Sequence, residues 1–389
     1  MREQVLVADG EGLARAAAAV EAEPRVGLDT ESNGFHAYSE QVCLVQIATP
    51  SADFAIDVLA VGLGPLAPLL ADPAREVIIH AAEYDVLCLK REWKLTLGRI
   101  FDTHAAAKVL GIERVGLGNL LHDQLGVELT EDEQRSDWGK RPLSPEQLAY
   151  AFADVQHLLP LREKLGVQLA EKGHLAEAEA EFARLVAKEP RPREFDADGW
   201  QKMKAARTLD GRGRGVLREM YLLRDRRARE LNRPPFKVLS DLLLAEVARR
   251  QPLNEGEVLR VPGAQTAILR RLAPQILEAV RAGQSAAPLP RPRPAGGPPW
   301  RRAVQPSPEV EERYEKLRAW RKVRADARKV EVQVIAPHAV LMAIARSAPR
   351  TLDELSRVEG MDPFRLQQYG EEILAALHPA PKSGQQSLL

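Results

Sequence analysis

The chain has 389 residues, of which 45% are hydrophobic and 28% charged. At about 150 residues per domain this predicts two or three domains with cores of their own, and it excludes disorder for most of the chain. Two cysteines, Cys43 and Cys88, are too few for a disulfide framework or a zinc module. No apolar run approaches the ~20 residues that span a bilayer, and the charged start does not read as a signal peptide. A soluble protein of the reducing cytoplasm is the expectation.

The formal net charge is zero, but it is split. Residues 1–190 carry 31 Asp and Glu against 18 Lys and Arg, a balance of −13, and residues 191–389 carry 24 against 37, a balance of +13. Such asymmetry suits a basic half that meets a polyanion. Taken alone it suits ordinary variation between domains equally well.

In chain order, residues 1–165 alternate strand and helix patterns. Short apolar or β-branched runs at Val26–Thr30, Val42–Ala48, Phe54–Val58, Val77–His80 and Ile100–Phe101 predict five strands. Close spacing makes the first three an antiparallel meander, and the later ones read as crossover units. Helical patterns cover Glu11–Glu21, Glu83–Arg91, Thr103–Leu110 and a long stretch from Pro145. There Ser144 can cap, Pro145 suits the first helical position and Gln147 completes a capping box. The expected fold is thus an α/β domain with a mixed five-stranded sheet flanked by helices.

From about residue 200 the pattern is helical and internally repeated. A shift of 97 residues pairs Arg224 with Arg321, Arg227 with Arg324, Leu244 with Leu341, Gly263 with Gly360 and Ile276-Leu277 with Ile373-Leu374. Identities on helical apolar positions and on one glycine predict two copies of a small helical bundle. Between them Gln284–Ser307 is rich in Pro, Ala and Arg, the composition of a semi-rigid linker. The expected division is 1–190, 205–283, a linker at 284–307, 308–378, and a frayed tail at 379–389.

Chemistry-bearing residues cluster in the first part. Asp29 and Glu31, one residue apart, project from one face of a strand. Asp85 opens a helix, and Tyr150 and Asp154, four apart, share one helix face. Hard divalent cations want several carboxylate oxygens. Two of them about 4 Å apart can clamp an in-line phosphoryl displacement. Taken one at a time, each of these acids is ordinary: acids often end strands, and Asp85 complements a helix dipole.

The order of the stretches LDTES, HAAEYDVLCL, FDTHAAAKVLG and SDWGKRPLSPEQLAYAFADVQHLLPL resembles the ribonuclease D family, in the DEDDy branch of the RNase H-like 3′→5′ exonucleases. The helical repeat resembles tandem HRDC domains, with LRDRRARELNRPPFKVLSD the closer copy. The resemblance implies an RNase H-like exonuclease domain followed by two all-α HRDC bundles. It makes Asp29, Glu31, Asp85 and Asp154 the metal-binding acids of a site holding two divalent ions, Mg2+ or Mn2+. It makes Tyr150 the residue that positions the attacking water. It further implies RNA as substrate, tRNA precursors among them, and release of 5′-nucleoside monophosphates by a monomeric enzyme. A 3′→5′ DNA exonuclease in repair and a non-catalytic nucleic-acid-binding adaptor are the alternatives, with single-stranded DNA as a further candidate partner.

Other residues in these stretches have plainer readings. Gln46 satisfies backbone in the sheet, His80 supports the turn before Asp85, Asp102 is structural and Trp138 packs. Ser136, Asp137 and Arg141 border the substrate groove. Cys43 and Cys88 are inert core. In the basic half Arg224, Arg227, Arg321 and Arg324 are the candidate phosphate contacts, of weak sequence preference since no aromatic RNA-binding signature appears.

Overall fold

The computed structural model describes residues 2–129, 133–263, 267–292 and 306–378. Most of the expected linker and the expected tail at 379–389 lie outside the described residues.

The first part is built on six strands: β1 (Glu3–Val7), β2 (Arg25–Ser32), β3 (Val42–Ala48), β4 (Ala52–Ile56), β5 (Glu76–Ile79) and β6 (Arg99–Asp102), in the sheet order β1-β4-β3-β2-β5-β6. The expected antiparallel meander is present as β2, β3 and β4, and β5 and β6 join parallel to β2. The sheet exceeds the expected five strands because β1 adds parallel to the edge of β4. Only Val7 of that strand is buried, so its sequence carries little apolar alternation. The third strand also sits two residues earlier than expected. It ends at Ile56 because Asp57 caps a short helix, accepting from the Leu59 N–H at 3.2 Å.

The helix from Pro145 has the expected capping box between Ser144 and Gln147, but it ends at Gln156. His157, with φ −107° and ψ 1°, breaks the continuous stretch, and a second helix runs Leu158–Glu171. The first of these, Pro145–Gln156, lies across β2, β3 and β4. Its buried Tyr150, Ala151 and Phe152 pack with Leu44, Ala55 and Trp138. The main core fills the sheet and the helices behind it, from Val7 to Leu185.

The helical part follows the 97-residue repeat element by element. Helices at Gly211–Glu230, Pro235–Val238, Asp241–Arg250 and Glu255–Leu259 correspond to Pro308–Arg328, Val332–Ile335, His338–Ser347 and Leu352–Ser356. Each copy has its own apolar core. Gly263 and Gly360 both adopt positive φ, +87° and +80°, which explains the repeated glycine: an L side chain there is strained.

Both modules dock on the sheet domain. Tyr38, in the loop after β2, donates its hydroxyl to Asp225 at 2.6 Å, and its N–H meets Asn232 Oδ1 at 3.2 Å. On the other side Arg328 pairs with Glu177 at 2.8 Å, and Lys108 with Glu331 at 3.2 Å.

Candidate active site

The acidic residues converge where β2 meets the helix Pro145–Gln156. Asp29 and Glu31 lie opposite Gln46 and Leu44 in the β2–β3 register, so all four share the face that this helix covers. Carboxylate oxygens of Asp29, Glu31 and Asp154 lie within 4.8 Å of one another. Asp85 joins from the first turn of the helix Glu83–Trp93 and accepts a hydrogen bond from the Thr30 hydroxyl. All four acids and Tyr150 line one cavity of about 690 Å³.

Crowded, desolvated carboxylates resist ionisation. Burial raises Asp29 to about 8, aided by the Asp154 charge and opposed by the Thr30 backbone N–H. Glu31 rises to about 10, through burial first and then the charges of Asp29, Asp154 and Asp85. Asp85 is likewise pushed up by burial and by Asp29. Tyr150 donates to Asp154, and burial with three neighbouring acids drives its phenol upward, so it keeps its proton at any ordinary pH. Four oxygen ligands that repel one another until positive charge arrives are a donor set suited to hard divalent cations.

Asp102 has the structural place expected of it. It caps the helix Thr103–Val109 and accepts from the N–H groups of Ala81 and Ala82, at 3.0 and 2.9 Å. Ala81 has φ +58°, so Asp102 holds the tight turn that delivers Asp85. His80 bonds Thr103 Oγ1 at 2.9 Å, and burial lowers it to about 3, which keeps it neutral. Trp138 is fully buried, 6.0 Å between ring centroids from Tyr150. Burial pushes both thiols up, Cys43 to about 12.

Two readings need correction. Gln46 does not satisfy sheet backbone: it is fully buried and, among the described residues, neither its Oε1 nor its Nε2 has a partner. Arg141 does not border the cavity. Its guanidinium grips Asp57 at 2.5 and 2.8 Å and the Cys43 carbonyl at 3.0 Å, tying the segment before the Tyr150 helix to the sheet. Ser136 is also engaged locally, accepting from Gln147 Nε2 at 2.8 Å, and Asp137 faces His36 at 3.7 Å.

The four arginines are not a single surface. Arg321 is buried and donates to the Ala336 carbonyl at 2.8 Å, and Arg224, its repeat partner, contacts the Leu239 carbonyl at 3.4 Å and pairs with Asp241 at 2.5 Å. Those carbonyls are themselves 97 residues apart. Arg321 therefore braces its module from within, contrary to the expected phosphate contact, and Arg224 shares most of that role. Arg227 pairs with Glu230, and Arg324, more exposed, pairs with Glu372 at 2.6 Å. Thr30, Tyr38 and the aromatic Phe236, which lines the cavity from the first helical module, escaped the sequence reading.

Comparison with known proteins agrees with this geometry. Residues 4–170 match the 3′-5′ exonuclease family, and residues 213–280 and 310–377 match the HRDC domain. A ribonuclease D from Gluconacetobacter diazotrophicus is 33% identical over 288 residues, 72% of each chain. The chain belongs to the ribonuclease D family. The ribonuclease D of Pseudomonas paraeruginosa is 31% identical over 92% of this chain and 93% of its own. Among solved structures, the catalytic core of RRP6 from Trypanosoma brucei has a TM-score of 0.67 at 25% identity, covering 73% of this chain and 80% of that one. Escherichia coli RNase D shares the fold, with a TM-score of 0.65 over 98% of this chain and all of that chain, at 24% identity.

As a member of this family, the protein is a 3′→5′ exoribonuclease: a metal-dependent, nucleic-acid-binding hydrolase. Among the described residues no helix is long and apolar enough to cross a membrane.

Proposed function

We propose that Asp29, Glu31, Asp85 and Asp154 hold two divalent ions, Mg2+ or Mn2+, and that Tyr150 orients the attacking water during removal of 5′-nucleoside monophosphates from RNA 3′ ends. The observation that carries this reading is the set of three carboxylates with oxygens within 4.8 Å, beside Asp85 in one cavity. Bound there, such ions supply Lewis acidity to the water and to the scissile phosphate. Tyr150 stays a phenol and is a poor base, so its part is to direct a lone pair through a hydrogen bond. Asp154 accepts that phenolic proton's hydrogen bond and fixes the ring. Thr30 and Asp102 hold Asp85 from two sides, the first through its hydroxyl and the second through the turn at Ala81.

The same proposal includes tRNA precursors among the substrates, a monomer acting in the cytoplasm, and a catalytic unit within 1–190 served by helical modules at 205–283 and 308–378. A gel assay with 5′-labelled RNA and the matching DNA tests it. The expected result is a one-nucleotide ladder on RNA that needs Mg2+ or Mn2+ and is lost with EDTA and in Asp154→Ala. A ladder mainly on DNA would move the substrate to DNA, and RNA binding without cleavage under either metal would make the protein an adaptor.

A further inference from the structure

The active-site cavity is lined by five acids, Asp29, Glu31, Glu40, Asp85 and Asp154, and no Lys or Arg is among its described lining residues. Arg91 and Arg193 come near only by pairing with Glu40. Bound metal and contacts to base and sugar are then the main sources of grip on a nucleotide at the acids. One aromatic wall of the cavity is not part of the exonuclease domain at all: Phe236 belongs to the first helical module.

Phe236 is 54% exposed, unusual for a phenylalanine, yet its backbone is rigidly set. Pro234 and Pro235 precede it, and Pro235 opens the short helix Pro235–Val238. Val238 and Leu239 behind it are buried in the module's core. The module is in turn pinned beside the site by the bonds from Tyr38 to Asp225 and Asn232. Phe236 is thus an exposed apolar residue on a fixed backbone, lining the cavity that the acids also line.

The repeat supplies an internal control. The position 97 residues on is Gln333, in the corresponding helix Val332–Ile335, and Glu331 and Val332 replace the two prolines. The second module contributes no described residue to the lining of the active-site cavity, and it carries neither the aromatic nor its stiff approach. The shared fold of the two copies does not require a phenylalanine there. Only the copy at the active site has one.

We propose that Phe236 is a stacking surface for an unpaired nucleobase of the RNA end held in the active-site cavity. Base-on-aromatic stacking is tolerant of sequence and is lost on truncation to alanine. The helical module then completes the substrate site directly, besides adding affinity at a distance. This inference rests on the reading of the cavity as the active site.

The test uses the full chain with Mg2+ and a 5′-labelled single-stranded RNA whose 3′-terminal linkages are cleavage-resistant phosphorothioates, and measures fluorescence anisotropy. A parallel series carries one abasic nucleotide at each of the terminal positions. Phe236→Ala is expected to weaken binding of intact RNA about tenfold, with Phe236→Trp restoring it. Wild type is expected to lose a similar factor at one abasic position, and at that position Phe236→Ala costs nothing more. Wild-type binding by Phe236→Ala, or a loss that simply adds at every abasic position, overturns the proposal. Cleavage assays with Mg2+ separate the two levels. Persistent activity in Asp154→Ala would overturn the assignment of the cavity itself, whereas activity lost in that variant with no Phe236 coupling would overturn the stacking role alone.

Discussion

Tyr38 donates its hydroxyl to Asp225 across 2.6 Å, joining the loop that follows Glu31 to the long helix of the first module. Asp225 is buried, and among the described residues its other partner, Arg229, is at 3.4 Å. Removing the hydroxyl leaves a desolvated carboxylate short of a donor. Tyr38→Phe is therefore expected to cost about 1–2 kcal/mol and to loosen the module from the sheet domain. Hydrogen exchange across 211–230 should quicken, and RNA affinity should fall with it because Phe236 is carried on the same module. Unchanged exchange there would show that the joint does not depend on this bond.

The metal-free protein should lose stability as pH rises through the range where Asp29 and Glu31 ionise in the fold. In the unfolded chain Asp29 and Glu31 ionise near pH 4. In the fold, burial and mutual repulsion raise them to about 8 and about 10. Between those limits the native state holds protons that the unfolded state has released, so stability falls as pH rises. It is greatest below about pH 4 as far as these groups are concerned, declines towards pH 8, and goes on declining towards pH 10. Thermal unfolding in EDTA should show this negative slope, and saturating Mg2+ should flatten it by taking the place of the protons. A midpoint that rises with pH in EDTA would contradict the assignment.

Arg321 and Arg224 show what charge counting cannot see. The +13 balance of the second half locates basic residues in the chain, but it does not tell which guanidiniums turn inward. The repeat alone does not tell either, since Arg227 and Arg324 also lie 97 residues apart yet pair with Glu230 and Glu372; the inward turn of Arg321 shows only in its bond to the Ala336 carbonyl. Arg321→Ala is accordingly expected to destabilise the second module by about 2–3 kcal/mol, leaving the Ala336 carbonyl without its donor. The slope of RNA affinity against salt should stay as it was, since a buried guanidinium releases no phosphate counterion. A reduced slope would restore it as a phosphate contact.

Local spacing placed the acids in pairs, and the resemblance to the ribonuclease D family joined them into a candidate site. A period of two puts Asp29 and Glu31 on one face of β2, and a period near four puts Tyr150 and Asp154 on one face of a helix. The cap at Ser144 was readable for the same reason. What stayed hidden depends on contacts between distant segments: Thr30 on Asp85, Tyr38 on Asp225, Phe236 over the cavity. β1 was missed because an edge strand with one buried side chain leaves almost no pattern. Gln46 was misjudged because a glutamine in an apolar strand looks the same whether its amide is paired or orphaned.

Asp154 offers the sharpest separation of stability from function. Its charge helps raise both Asp29 and Glu31, and its oxygen is one of the three within 4.8 Å. Asp154→Asn keeps the size and shape of the side chain while removing one of the repelling charges. Without metal the variant is expected to unfold at a higher temperature than wild type, and its decline with rising pH should be shallower. With metal it should lose about 10³-fold in RNA hydrolysis, the scale on which losing one strong electrostatic contact to a transition state is felt. The two effects have one cause: acids held together against their repulsion destabilise the empty fold and bind the cation that catalysis needs. Thermal unfolding in EDTA and single-turnover cleavage on the same preparations check both halves. A less stable variant would mean that the carboxylate is structural, and a fully active one would remove it from the metal site.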